Sequence, residues 1–288
     1  IDRCQFVSYE SALLVAQRTT IGCNLYANDV KIRNNRCRFF RHFAVIGGTS
    51  SIISGNHFFQ GDSGPVGPRT AILVMANTNS RATIEGNYIC DGSIEWTNER
   101  DPAPEFNSEF SFSAMSITGN TFLSQSTSPS FNFILVKPFG TDHFINGLMV
   151  TGNTFRLIDG NIDRVEGIDT TFAELNFERF KNIHFTANAY NGVNTLVESP
   201  LVWRHDENSP QSTWVVTPSP HLPFNAWVRT VESVMPEGEI QDNSGNPYWG
   251  MPNAQPRQGP NNDRVNVRWE KPVQGTVVVR MRIDNPIP

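Results

Sequence analysis

Apolar and polar positions alternate in short bursts along the first two-thirds of the chain, and five bursts share one frame. They read Ile53-Ser54-Gly55-Asn56-His57-Phe58, Ile84-Glu85-Gly86-Asn87-Tyr88-Ile89, Ile117-Thr118-Gly119-Asn120-Thr121-Phe122, Val150-Thr151-Gly152-Asn153-Thr154-Phe155 and the looser Phe185-Thr186-Ala187-Asn188-Ala189-Tyr190. The asparagines fall 31, 33, 33 and 35 residues apart, and a near-constant period of this length marks stacked repeats. Gly and Asn both accept left-handed backbone angles, so each pair predicts a tight corner between two short strands. In register, the corners stack, and each Asn amide is placed to bond the next coil. The pattern is the wall of a parallel β-helix.

The rest of each period agrees. Ala71–Ala76 and Phe133–Val136 are short apolar runs suited to buried parallel strands. Phe110, Phe112 and Ala114 alternate with Ser111 and Ser113, which predicts a strand with one face inside. The frame extends faintly upstream, through Ile32-Arg33-Asn34-Asn35-Arg36-Cys37 and through Ile1–Phe6 with Cys4 in the place of the Asn. A coil of about 21 residues holds three strands and tight corners only, so longer coils carry about ten further residues in loops, where specificity would reside.

Composition divides the chain. Thirteen of 19 prolines and five of six tryptophans fall at or after residue 200, where the Gly-Asn frame stops. Residues 1–199 therefore read as the solenoid and 200–288 as a β-rich capping or oligomerisation domain. There Arg264–Trp269 and Thr276–Ile283 alternate in and out around a Pro/Gly-containing break, which reads as a hairpin. Residues 236–263 read as loop or an extended arm.

A net charge of −5 argues against general nucleic-acid binding, and no apolar run approaches the ~20 residues of a membrane span. The chain opens without methionine inside a strand-like phrase and reads as the C-terminal portion of something longer. Cys4, Cys23, Cys37 and Cys90 keep no zinc-type spacing; buried free thiols are the simplest reading, with a disulfide as the alternative.

The Asn phrases and the β-rich C-terminus resemble the pectate-lyase-like right-handed parallel β-helix superfamily. More narrowly, the chain resembles polygalacturonase-related sequences of phage tailspikes and of spikes on phage-like particles such as gene transfer agents. The resemblance implies an all-β right-handed solenoid, binding or cleavage of long acidic polysaccharides along its side, a homotrimer, attachment to a capsid or tail protein, and a location outside the cell on a virion or similar particle, or else secretion. It does not carry catalytic residues over. The Asn-Thr-Asp, Asp-Asp, Gly-His-Gly and Arg-Ile-Lys motifs of the hydrolases and the Arg-x-Pro-x-x-Arg signature of the lyases are missing, and the Asp-His pair of the lyases occurs only as the isolated dipeptide Asp142-His143.

Two constellations can carry chemistry. Asp159, Asp163, Glu166 and Asp169, among Arg156 and Arg164, leave a strand into a long loop. Paired carboxylates of this kind serve glycoside hydrolysis or, with Ca²⁺, a lyase; solvated loop carboxylates are the plainer reading. Glu95, Trp96, Glu99 and Asp101 offer an indole for sugar stacking with acceptors at its rim, although the alternation of Ile94 and Trp96 also fits ordinary core. Lys31, Arg33, Arg36, Arg38, Arg41 and His42 form the concentrated basic patch, either a grip for anionic glycan or a charged face. Lys137, Asp142 and His143 are a weaker trio, with a structural histidine as the default.

Missing motifs favour a carbohydrate-recognising spike or adhesin without a cofactor. Available carboxylates keep an active lyase or hydrolase in play, and an assembly component without a ligand is the third reading.

Overall fold

Each repeat contributes one short strand to each of three parallel sheets. The first sheet holds the residues before the Gly-Asn pair, the strands Lys31–Arg33, Ile52–Ser54, Thr83–Glu85, Phe112–Thr118, Ile145–Thr151 and Lys181–Thr186. The second holds those after it, from Gln5–Val7 to Ala189–Asn191. The third stacks Ile21–Leu25, His42–Ile46, Ala71–Met75, Ser93–Thr97, Ile134–Lys137 and Glu166–Ile168. The computed structural model describes residues 1–61 and 69–285. It falls into two units, Ile1–Leu196 and Val197–Pro288, the first a parallel β-helix.

Register is exact along the frame. Ile32, Ile53, Ile84, Ile117, Val150 and Phe185 pair in one column, and Phe58, Ile89, Phe122, Phe155 and Tyr190 in the next. Both columns point inward. Phe122 and Phe155 stack at 4.9 Å, and Phe155 and Tyr190 at 5.7 Å. Each fully buried aromatic contributes about 1.5–3 kcal/mol through removal from water.

The corner between these columns is an asparagine ladder. The Oδ1 atoms of Asn56, Asn87, Asn120, Asn153 and Asn188 each accept both the backbone N–H and the Nδ2–H of the preceding coil's Asn, at 2.9–3.1 Å. Each Nδ2 from Asn56 onward also donates to the carbonyl of the residue that opens the preceding coil's frame, as Asn120 does to Ile84 at 2.9 Å. Cys4 takes the place of an Asn at the start, its backbone N–H donating to Asn35 Oδ1. Only the residue before the Asn is left-handed: Gly55, Gly86, Gly119 and Gly152 in the regular coils, with Asn34 and Ala187 in their place elsewhere. The expected amide bonds between coils form, whereas the left-handed backbone angle expected of both Gly and Asn belongs to the Gly alone.

The corner between first and second sheets is always two residues long, so every insertion flanks the third sheet. Residues 8–20, 98–111, 125–133, 138–144, 158–165 and 169–180 all enter or leave a third-sheet strand. The insertion in the coil from Asn56 to Asn87 also does so, and part of it lies outside the described residues.

Two local expectations fail. The strand expected to alternate from Phe110 begins at Phe112 and loses its alternation at Ala114, which is left-handed and unpaired opposite the equally left-handed Gly147 while the register stays unchanged on either side; Phe112, Met115 and Ile117 are the buried residues, and Phe110 is exposed. In the second unit, Arg264–Arg282 is one continuous 19-residue strand. The Pro272–Gly275 break does not turn because Leu201–Val216 pairs antiparallel along both halves and Gln241–Asp242 pairs across the break. The expected arm adds the strand Asn253–Gln258, in which Pro256 falls where the register slips, so its missing N–H breaks no ladder bond.

The cysteines are free: Cys37 and Cys90 are buried, Cys23 is half-buried and Cys4 exposed. Burial pushes the Cys90 thiol up to about 12 and Cys23 up to about 11. No helix among the described residues is long and apolar enough to cross a membrane.

Candidate functional site

The third sheet turns alternate residues inward and outward. Ala44, Leu73, Ile94 and Ile134 pair in one inward column, and Ile46, Met75, Trp96 and Val136 in the other. Between them Val45, Val74, Glu95 and Leu135 form an outward column, and these line two adjoining cavities of about 370 and 590 Å³. The cavities share Arg41, His42, Glu95 and Glu99, making one groove. Its lining runs from Ile21 on the first strand of the sheet to Ile168 on the last. Six strands spaced ~4.8 Å apart give a span of about 25 Å across the coils.

Glu95 is the charged member of an otherwise apolar column. Burial, together with the carboxylates of Glu99 and Asp169, holds its carboxyl above the usual range, against the pull of Lys137. Asp169 is shifted the other way: Thr171 donates its Oγ1–H at 2.5 Å and its backbone N–H at 3.0 Å to Asp169 Oδ1, which favours the carboxylate. Lys137 lies between them in sequence register, on the coil next to each, with Nζ 3.5 Å from Glu99 Oε2. Glu99 itself is set by a turn in which its N–H donates to Thr97 Oγ1.

Cations and an imidazole complete the walls. His42 Nδ1–H donates to Ala71 O at 2.6 Å, and burial lowers the basicity of the ring. Arg100 bonds Asn24 and the Tyr26 hydroxyl and lies over the Tyr26 ring, fixing the wall at one end. Arg69 faces the groove but is buried, 3.4 Å from Asp91 and bonded to Ser126 O.

The groove gathers Glu95, Glu99 and Asp169 from both constellations singled out in the sequence and leaves the others elsewhere. Trp96 is 1 % exposed; its Nε1–H donates to Asn77 O and its ring meets Phe112 edge-on. It is core, as its alternation with Ile94 allowed, and offers no face to a ligand. Asp101 caps a turn by accepting from Ala103 N. Asp159 and Asp163 are exposed on the loop into the last coil, bonded to Gln125 and Asn194. Glu166 is buried on the inward side, ion-paired with Arg164 at 2.5 Å. The four clustered carboxylates thus disperse, because a strand alternates its faces.

The basic patch disperses for a related reason. Residues 31–42 wind past all three sheets, and only Arg41 and His42 reach the groove. His143 is a buried structural histidine, its Nε2–H donating to Pro104 O and its Nδ1 facing Ser111 Oγ. Among the described residues no three His, Cys, Asp or Glu side chains converge as a metal cage.

The chain is thus a parallel β-helix with a lateral groove built on one sheet and walled by its insertions. No family model and no curated protein matches the sequence. Among solved structures it is similar to the tailspike of Pseudomonas phage phi297, with 14 % identity and a TM-score of 0.26. The match covers 92 % of this chain and 60 % of that tailspike.

Proposed function

We propose that the protein is a carbohydrate-recognising spike or adhesin that holds a surface polysaccharide in the groove over its third sheet. One observation carries the reading: the groove crosses all six strands of a sheet, lined by apolar side chains interrupted by carboxylates, amides and cations. An extended polymer fits such a trough, with an apolar sugar face on the half-buried Leu135 and hydroxyls on the polar rim. The spike context, with a homotrimer outside the cell borne on a particle's capsid or tail protein, rests on the sequence resemblance. Incubating the purified protein with capsular and pectin-like polysaccharides while following retention, reducing ends and unsaturated products tests it. Binding lost on Glu99→Gln or Asp169→Asn supports the groove; no retention of any polymer sinks it and leaves the assembly-component reading.

A specific observation favours hydrolysis as a second reading. Glu95 and Asp169 are carboxyls whose surroundings push their proton affinities apart, which is how an acid and a base are divided between like groups. Their strands lie two spacings apart, roughly 10 Å, leaving room for a water between them, as inversion requires. Glu95 would protonate the leaving oxygen and Asp169 would activate that water. Reducing ends released by the wild type and abolished by Glu95→Gln would support it; turnover surviving Glu95→Gln would exclude it.

A further inference from the structure

At the edge of the groove stands an aromatic pair that the sequence did not single out. Phe172, on the loop after Asp169, lies over Phe139 with ring centroids 4.3 Å apart and planes inclined by 18°. Phe172 is nevertheless 57 % exposed, because one of its faces meets Phe139 and the other meets solvent. Phe139 is fixed from behind: Asn98, itself buried, accepts from Phe139 N at 2.8 Å and donates to Phe139 O at 2.9 Å. Lys137, which lines the groove, places Nζ 5.4 Å from both ring centroids and 3.5 Å from Glu99 Oε2.

A flat, rigidly backed, exposed ring beside hydrogen-bonding groups is what a sugar ring needs, since the axial C–H bonds of a pyranose form an apolar face and its hydroxyls project at the edge. Phe172 stacks on Phe139 through one face and leaves much of its surface in water.

Charge selects the class of sugar. Lys137 is surrounded by Glu95, Glu99 and Asp169, so this end of the groove is already over-supplied with carboxylates. A uronate placed on the ring would meet the like charges of Glu99 and Asp169 and, in Lys137, a cation that Glu99 already compensates. A neutral hexose meets acceptors for its hydroxyls instead.

We infer that Phe172, backed by Phe139, is a stacking platform for an uncharged pyranose, with Glu99 accepting from its hydroxyls and Lys137 holding Glu99 in place. The inference rests on the groove being a glycan site and adds the subsite and its preference for neutral sugars over acidic ones.

Affinity electrophoresis of the whole protein through gels containing dextran, galactan, polygalacturonate or alginate tests both layers separately. The wild type is expected to be retarded at least tenfold more by a neutral polymer than by either uronate polymer. Phe172→Ala should lower that affinity tenfold or more and Phe172→Trp should keep it within about threefold, with unchanged thermal unfolding because the ring is exposed. If Glu99→Gln and Asp169→Asn abolish retention but Phe172→Ala does not alter it, the platform is overturned and the groove stands. Stronger retention by a uronate polymer overturns the charge assignment. If none of the four polymers retards the wild type, the groove reading fails and the platform with it.

Discussion

Asn98 grips Phe139 as a neighbouring strand would, its amide replacing both halves of a backbone pair: Oδ1 accepts from Phe139 N and Nδ2 donates to Phe139 O. The two residues are 41 apart in sequence, and the contact ties the loop leaving one third-sheet strand to the loop leaving the next. Asn98→Ala leaves the Phe139 N–H and C=O without this partner, each worth about 1–3 kcal/mol if it stays buried. The expected outcome is a loss of about 2 kcal/mol in denaturant unfolding, together with weaker polymer retention because Phe172 loses its backing. Unchanged retention alongside reduced stability would separate the loop from the ligand.

The asparagine ladder makes a sharper stability prediction. Asn120→Leu strips the Asn87 backbone N–H, the Asn87 Nδ2–H and the Ile84 carbonyl of their common partner, so the loss should exceed 2 kcal/mol. Gly119→Ala probes the other half of the corner. A Cβ there meets nothing within 4 Å, and φ is +63°, so the cost is backbone strain alone, about 1–2 kcal/mol. Gly119→Asn should cost less than Gly119→Ala, since Asn34 already holds the equivalent place. Chemical denaturation of the three variants gives the order; a Gly119→Ala loss larger than that of Asn120→Leu would mean the amide ladder is not what holds the coils.

The ladder was legible because its signal repeats: Ile, Gly and Asn recur in phase, and a period cannot arise from one local preference. The groove was legible only in part. Glu95 and Asp169 stand 74 positions apart, and strand register, which no single window contains, is what brings them to one face with Lys137 between. Trp96 stayed open in the sequence because an indole serves core and sugar equally well, and the inward phase of Ile94 and Trp96 places it in the core. Phe172 gave no signal, lying alone in the polar loop Thr170–Glu174, where exposure depends on Phe139 across the coil. The hairpin expected around Pro272 failed for a third reason: a Pro/Gly break marks a turn only when no long partner strand, here Leu201–Val216, spans it.

Acid should loosen the entry to the groove. The Glu10 carboxylate accepts from Thr19 N, Thr19 Oγ1 and Thr20 N, and these bonds, Thr20 foremost, draw its pKa from 4.5 to about 2. Beside it the buried Arg18 guanidinium donates to the carbonyls of Glu10, Leu13, Gln60 and Gly61, and Thr19 and Ile21 line the groove. A carboxyl whose folded pKa is depressed contributes stability that is present above its unfolded pKa and is lost as pH falls through the folded one. The Glu10 contribution is therefore complete above about pH 4.5 and gone near pH 2. Unfolding followed from pH 6 to pH 2 should show a steeper acid limb for the wild type than for Glu10→Gln, which starts less stable. Parallel curves would mean Glu10 keeps its ordinary affinity for the proton.

Glu95 has the opposite sign, and that makes it the test of whether the groove holds chemistry. Its carboxyl is raised by burial and by Glu99 and Asp169, so the folded state takes up its proton more readily than the unfolded chain does. A raised carboxyl costs stability once pH rises above its unfolded pKa, and the cost is absent well below it. Glu95→Gln keeps the shape and removes the charge, so it should be more stable than the wild type at neutral pH, and the advantage should vanish below about pH 4. Thermal unfolding of the pair at pH 7 and pH 3.5 supplies the first measurement, and polymer retention with reducing-end release the second. If Glu95→Gln is stabilised, still retained by polymer and without turnover, Glu95 is an acid catalyst. If it is stabilised and loses retention in a protein that never turned over, Glu95 is a binding group. No stabilisation at pH 7 would show that the charge is not strained, and the division of roles between Glu95 and Asp169 would fall with it.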